Sequence, residues 1–431
     1  MSWKKAKLGD LLTESRIPCE NPNPDRRIKV RLKVLGVEKR GLENEIEGAT
    51  KQFIRKAGQF IYGKQNFHKG AFGIIPKELD GFESSADLPA FDVSKESLPE
   101  WIFYFFKQGN YYLELSKIAR GVATQRIHPE QIFDLEIPLP DINTQKEFLV
   151  RIYSLENKGG ELSTELAHQQ NILKQLRQAF LREAMQGKLV SQNPADGNAT
   201  DLLRKIKAEK EKLIAGKKLK KEKELPPIKA DEIPFDIPEN WVWCRFGKIV
   251  DIESNLVSPF DFPNHPHVAP DNIEKNSGKL LPYKTVSEDN VQSANHYFYA
   301  GQLIYSKVRP KLNKVVKINF EGLCSADMYP LRPRIDSDFL LYCMLSEYFL
   351  VEVDRFDNRV KMPKINQNQL SQIPIPLPPL EEQKRIVKKL EELMQHCNDL
   401  ETSIKESESQ NEKLLQQVLR EALRKEKIIT L

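Results

Sequence analysis

The chain has 431 residues, 40% of them hydrophobic and 29% charged, which is room for about two to four domains with real cores. No run approaches the roughly 20 consecutive apolar residues of a membrane span, and no apolar segment follows the polar start, so neither a membrane protein nor a signal peptide is expected. The five scattered cysteines form no CxxC pair and the net charge is only +5, which excludes a disulfide framework and leads us to expect a cytoplasmic protein whose charge matters by its placement.

Residues 1–141 read as a compact β-rich domain with some helix, and Gln59–Tyr62 is one of its short strand-like runs. Within it, Arg26–Lys77 carries thirteen basic residues against four acidic ones, interleaved with Phe53, Phe60, Tyr62, Phe67 and Phe72. Such a window suits a polyanion, because phosphate contacts release counterions. Residues 142–189 are free of proline, with Leu155, Leu162, Leu166, Leu173, Leu176 and Phe180 at helical spacing. Gly159-Gly160 interrupts them, each glycine costing about 1 kcal/mol against alanine, so the helix is expected to bend or restart there. Residues 190–232 form a basic linker, in which Leu203–Glu224 holds ten Lys/Arg and four Glu, the pattern of a solvated helix or mobile connection. Residues 233–378 read as a second β-rich domain, with strand-like runs at Leu303–Tyr305 and Val315–Ile318. Its Ala300–Lys317 window has five basic residues and no acid. Residues 379–431 form a second helix on Ile386, Leu390, Leu393, Cys397, Leu400, Ile404, Leu414 and Val418. Some 48 residues of helix span about 70 Å.

The chain is an internal duplication. Ile137-Pro138-Leu139-Pro140 recurs 238 residues on as Ile375-Pro376-Leu377-Pro378. The same offset relates Trp3 to Trp241, Gln145-Lys146 to Gln383-Lys384, and Leu181–Ala184 to Leu419–Ala422. With a small shift, Gly58-Gln59-Phe60-Ile61-Tyr62-x-Lys64 matches Gly301-Gln302-Leu303-Ile304-Tyr305-x-Lys307, and Ser85-Ala86-Asp87 matches Ser325-Ala326-Asp327. Because 238 is a whole number of heptads, both helices keep one register, with Gln169 and Ser407 at equivalent a positions and Asn411 at d as polar breaks in the seam. The expected fold is α+β: two pseudo-repeated β-rich domains and two long helices forming an antiparallel coiled coil. Two amphipathic helices, each packed on its own domain, are the other arrangement the pattern allows.

Phosphate loops, dinucleotide fingerprints, an [DN]PP[YF] motif, HExxH and a nucleophile elbow do not occur, and His265-Pro266-His267 reads as loop rather than metal site. No catalytic residue, cofactor site or metal site is expected in this chain.

The order and doubling of these motifs resemble the specificity subunits of type I restriction–modification systems. The residues that carry the likeness are Gly58–Lys64 with Lys69–Leu79, Gly301–Lys311 with Cys324–Asp327 and Leu331–Pro333, Ile233–Trp241, and Phe180–Leu189. The first domain departs from the pattern in lacking a Pro-Glu-x-Trp lead-in before Trp3. The resemblance implies a non-catalytic DNA-recognition subunit, each target-recognition domain reading one half of a bipartite asymmetric site on double-stranded DNA. The helices would set the gap between the halves. Two adenine-N6 methyltransferase subunits and restriction-translocase subunits would be the partners, bringing S-adenosylmethionine, ATP and Mg2+. Under that reading Lys64, Lys69, Lys307, Arg309, Lys311 and Lys314 are candidates for phosphate or base contact. Arg309 suits guanine, and Gln65, Asn66 or Asn313 suits adenine. Tyr62 and Tyr305 hold matching strand positions and either pack in the core or touch DNA, while Asp87 and Asp327 are expected to shape the loops. The alternatives are a specificity chain serving a fused nuclease-methyltransferase, and a coiled-coil scaffold whose basic windows meet acidic proteins.

Overall fold

The computed structural model describes residues 3–41, 51–121, 125–217, 219, 224–356 and 363–424, with backbone alone at 419–424. Parts of the sequence expectations therefore lie outside the described residues: 42–50 of the first basic window, 218 and 220–223 of the basic linker, the side chains of Leu419–Ala422, and 425–431 of the second helix. The chain divides into two compact units, Met1–His168 with Ile404–Leu431, and Gln169–Ser403. Among the described residues no helix is long and apolar enough to cross a membrane.

In the first unit the strand Lys5–Lys7 pairs antiparallel with Glu136–Pro138, so the start of the domain closes on its IPLP segment. A four-stranded antiparallel sheet runs in the order Leu12–Ser15, Ala90–Val93, Phe60–Tyr62, Phe72–Ile74. The helix Pro99–Lys107 starts on a proline, whose missing N–H costs nothing at that position, and buries Trp101, Ile102 and Phe106. Trp101 Nε1 donates to the Pro138 carbonyl at 2.8 Å, tying this helix to the IPLP strand. Phe60, Tyr62, Phe67 and Phe72 are fully buried in this core. These four aromatic side chains of the first basic window thus serve packing, Phe53 is half-buried, and one cation of the window, Arg55, is itself buried, donating to Ser84 Oγ and to the Ser15 and Leu88 carbonyls.

The second unit repeats the plan. Val242–Arg245 pairs antiparallel with Pro374–Leu377. A four-stranded antiparallel sheet runs Val250–Ile252, Met328–Pro333, Leu303–Ser306, Val315–Lys317, the same order as in the first unit. The helix Ser337–Leu345, capped by the Asp336 carboxylate, lies 238 residues beyond Pro99–Lys107. The units differ in what is inserted. The first adds two-stranded pairs (Ile28–Val30 with Val37–Lys39, Gln52–Ile54 with Glu83–Ser85), whereas the second adds a five-stranded sheet that includes Pro266–Val268 and Gly322–Cys324. Within the basic linker, Ala199–Ala215 is a helix, which Lys210 fixes to the second unit through the Gly247 carbonyl and Asp251.

The long helices span Ile142–Met185 and Leu380–Arg424. The first runs without interruption through Gly159-Gly160, where a bend was expected. The reason is a cross-helix contact: Asn411 Nδ2 donates to the Gly159 carbonyl at 2.9 Å and lies 3.2 Å from Ser163 Oγ, and a Cβ on Gly159 would stand 3.3 Å from the Asn411 amide oxygen. In the second unit Arg177 reaches Asn398 and Glu401 at 2.8 and 2.9 Å. Partner numbers fall as the first helix's numbers rise, which makes the pair antiparallel. The seam differs in detail from the expected heptads. Leu162, Leu176, Leu400 and Leu414 are exposed, while Ile152, Leu166, Leu173, Leu390, Cys397 and Ile404 are buried. Leucines at 3–4 spacing mark two neighbouring faces of a helix, and the polar cross-links at Arg177 and Asn411 select between them.

Each helix begins at a buried glutamine. Gln145 Oε1 accepts from the Leu98 amide, and its Nε2 donates to the Glu96 and Pro140 carbonyls at 3.0 and 2.9 Å. Gln383 Oε1 accepts from the Asp336 amide, and its Nε2 donates to the Pro378 carbonyl at 2.9 Å. Both side chains are completely enclosed, so a leucine in their place leaves buried backbone groups unpaired. Gln145→Leu and Gln383→Leu should each destabilise the chain by roughly 1–3 kcal/mol. The urea midpoint measures it, and a midpoint equal to the parent's contradicts the anchoring role.

Candidate nucleic-acid interface

In each unit the third strand of the four-stranded sheet, counted in the order given, leads into a loop of similar construction. Residues 63–71 and 306–314 close with the same backbone bond, Gly63 N to the Ala71 carbonyl and Ser306 N to the Lys314 carbonyl, both 2.9 Å. Each holds a 3-10 turn, Phe67–Lys69 or Pro310–Leu312, that ends on a left-handed residue, Gly70 or Asn313. Glycine is required at position 70 because the Lys33–Val34 backbone donates to the Lys69 and Gly70 carbonyls at 2.9 and 2.8 Å, leaving no room for a Cβ. Asn313 tolerates its positive φ as asparagine often does, and its Nδ2 donates to the Met344 carbonyl at 2.9 Å.

The candidate side chains fall into three groups. Tyr62, Tyr305 and Asn313 are fully enclosed. The Tyr62 hydroxyl donates to the Ile127 carbonyl at 3.1 Å, burial pushes both phenols above their ordinary pKa, and the Asn313 amide is committed to the core. In this conformation these three shape the loops from inside. A second group is already engaged at the surface. Lys307 Nζ donates to the Ala326 carbonyl at 2.6 Å and lies 5.3 Å from the Tyr329 ring, Lys311 pairs with Asp354 at 2.8 Å, and Lys314 donates to the Pro270 carbonyl at 2.7 Å with Asp271 at 3.5 Å. The third group is presented to solvent: Lys69 and Arg309 are exposed, and Lys64, Gln65 and Asn66 are half-buried. Arg309 holds a left-handed backbone (φ 47°) immediately before a proline, a combination that costs energy for a side chain of its kind.

Asp87 and Asp327 hold these loops through their carbonyls, which accept from the Lys64 and Lys307 amides at 2.9 and 3.0 Å. Their carboxylates meet cations that sequence reading passed over. Arg126 stands 3.8 Å from Asp87, and Lys364 3.0 Å from Asp327. The next residue in each case, Ile127 or Ile365, donates its amide to the Lys64 or Lys307 carbonyl at 2.8 and 3.0 Å. Beyond them, Gln131 and Gln369 side chains accept from the His128 and Asn366 amides at 2.8 and 3.0 Å. A signal was present in the sequence: Arg126-Ile127 and Gln131 align with Lys364-Ile365 and Gln369 at the offset of 238. In the second unit Lys307, Tyr329, Lys364, Asn366 and Gln369 line one groove. Among the described residues no group of three or more His, Cys, Asp or Glu could hold a metal ion, and His267 Nδ1 is 2.8 Å from Asp289.

Residues 238–407 match the family model of the type I restriction modification DNA specificity domain. The EcoDI type I restriction enzyme specificity subunit of Escherichia coli is 38% identical over 323 residues, covering 75% of this chain and 69% of that protein. The chain belongs to the type I restriction enzyme specificity subunits. The EcoAI specificity subunit of Escherichia coli is 26% identical over 367 residues, covering 71% of this chain and 61% of that protein. In fold, a chain solved in work on complex assembly and conformational transition of the type I R-M system matches with a TM-score of 0.69 at 19% identity over 98% of both chains. The HsdS subunit from Thermoanaerobacter tengcongensis matches at 0.55 and 18% identity, covering 98% of this chain and 97% of that one. The specificity subunit is the non-catalytic, sequence-recognising component of its system, with DNA and the modification and restriction subunits as partners.

Arg309→Ala should relax the recognised sequence at one position, by about 1–3 kcal/mol of discrimination if the guanidinium forks onto guanine O6 and N7. Competition binding against duplexes with single substitutions in the target reads it, and equal losses on every duplex would contradict a base contact.

Proposed function

We propose that each recognition domain of this specificity subunit reads one half of a bipartite, asymmetric DNA site and that the helical pair fixes the gap between the halves. The observation that carries this reading is the doubled loop, closed by the same backbone bond in both domains and headed by a lysine in both, whose next side chains differ, Gln65-Asn66 in one domain and Val308-Arg309 in the other. One scaffold carrying two different sets of base-reading groups suits a site whose halves differ. Half-sites on one face of B-DNA lie about 34 Å apart per helical turn, a spacing that a helical element can enforce. Recognition domain boundaries at 1–141 and 233–378, long helices within 142–189 and 379–431, and a basic linker at 190–232 form part of the same proposal.

An apolar feature that occurs in both units supports a complex with two methyltransferase copies. In the unit Met1–His168 with Ile404–Leu431, Leu162 and Leu414 are 43% and 56% exposed. In the unit Gln169–Ser403, Leu400 and Leu176 are 54% and 37% exposed. Leu400 is the repeat equivalent of Leu162, and Leu414 of Leu176. Each unit therefore offers the same two apolar side chains, a duplicated feature suited to two identical partners. The partners would supply adenine-N6 methylation and restriction, together with the S-adenosylmethionine, ATP and Mg2+ those reactions need. The assembly would work in the cytoplasm.

Long-read methylation mapping of cells co-expressing this chain with its methyltransferase partner tests the reading. N6-methyladenine on a split, asymmetric motif, lost when this chain is omitted, is the expected result. A continuous motif, or methylation independent of this chain, would count against it.

A further inference from the structure

We propose that Arg126 with Lys64 in the first recognition domain, and Lys364 with Lys307 in the second, are paired DNA-backbone anchors that hold phosphate irrespective of sequence. The inference rests on the recognition reading above and adds to it a division of labour among the cations.

The first ground is which features both domains keep. Across the loops the base-reading positions have diverged, with Gln65, Asn66 and His68 facing Val308, Arg309 and Lys311. The cation at the head of the loop and the cation beside the turn aspartate occur in both. Two half-sites of different sequence have only their sugar–phosphate backbone in common, so a contact kept in both domains is one that meets phosphate.

The second ground is geometry. The amides of Ile127 and Ile365 bond to the carbonyls of Lys64 and Lys307, which fixes Arg126 and Lys364 beside the loop heads. Lys364 and Asp327 side chains are 36% and 45% exposed, and Arg126 and Asp87 side chains 41% and 54%. In the second unit Lys307 and Lys364 line one groove while only Lys364 pairs with Asp327, which leaves a surplus positive charge there. Exposed ion pairs of this kind are weak, so an incoming phosphate can share the cation. The loop survives that exchange, because the aspartate holds it through its backbone carbonyl and not through the carboxylate. Lys307 spends one N–H on the Ala326 carbonyl and retains others for a ligand in the groove it lines with Lys364.

The test uses the specificity subunit assembled with its methyltransferase partner and a labelled duplex bearing the mapped motif, with affinity measured against salt concentration. Arg126→Met and Lys364→Met should each flatten the slope of log K on log salt by about 0.9, the share of one phosphate. They should weaken every duplex by the same factor and leave the methylated motif unchanged. Asp327→Asn, which keeps the loop-holding carbonyl, should tighten binding, and it serves if a cation variant fails to fold. An unaltered salt slope would show that the cations only brace the aspartates, and a changed motif would show that they read bases. Either result overturns the proposal, as does weaker binding by Asp327→Asn. A parent complex that does not prefer the motif-bearing duplex over a scrambled one would instead refute the recognition reading itself.

Discussion

A buried glutamine at the head of each long helix is the constraint on which the rest depends. Gln145 and Gln383 bind the backbone just after a proline-ended strand and the backbone that leads into the domain's own buried helix, so the strand, the long helix that follows it and that lead-in are fixed together. A side chain amide is needed because these backbone groups are sealed from water and have no ladder partners to take them. The IPLP segment is conspicuous in the sequence for the same reason. Its prolines end the strand, and the carbonyl of Pro140 or Pro378 receives the glutamine.

From that anchor the duplication follows through in order. The same sheet order and a similar loop construction arise twice, and the accessory strands inserted between them differ. Packing therefore preserves a frame, and the surfaces that frame presents are of two kinds. Some are equal in both units, such as the exposed leucines and the paired cations beside Asp87 and Asp327. Others are unlike, such as the tips of the two loops. Under the proposed reading the chain serves identical partners and reads unlike half-sites, and a tandem repeat supplies that separation.

Much of this was legible without coordinates. The repeat and the α+β class follow from matched motifs, the antiparallel helices are one of the two arrangements the heptad spacing allows, and Lys64 and Lys307 stand out through the doubled Ile-Tyr-x-Lys motif. Other features were hidden for physical reasons. Leu162, Leu176, Leu400 and Leu414 look like seam residues by spacing, yet face outward because Arg177 and Asn411 fix a neighbouring seam. Phe60, Tyr62, Phe67 and Phe72 stand among the cations of the first basic window in sequence, but the sheet and the helix Pro99–Lys107 enclose them. Arg126 and Lys364 went unnoticed because the offset between copies changes from 243 at the loop to 238 beside it, and because the two residues share charge and not identity. Asn313 offered a plausible adenine contact on composition alone, while its left-handed backbone and its bond to the Met344 carbonyl give it a structural task.

Counting the partners bound decides whether the chain is two equivalent platforms. Native mass measurement of the complex with the methyltransferase subunit should show two partner copies on the parent chain, and one on a chain carrying Leu400→Lys with Leu176→Lys. A single copy on the parent, or two copies undisturbed on the variant, would contradict the account.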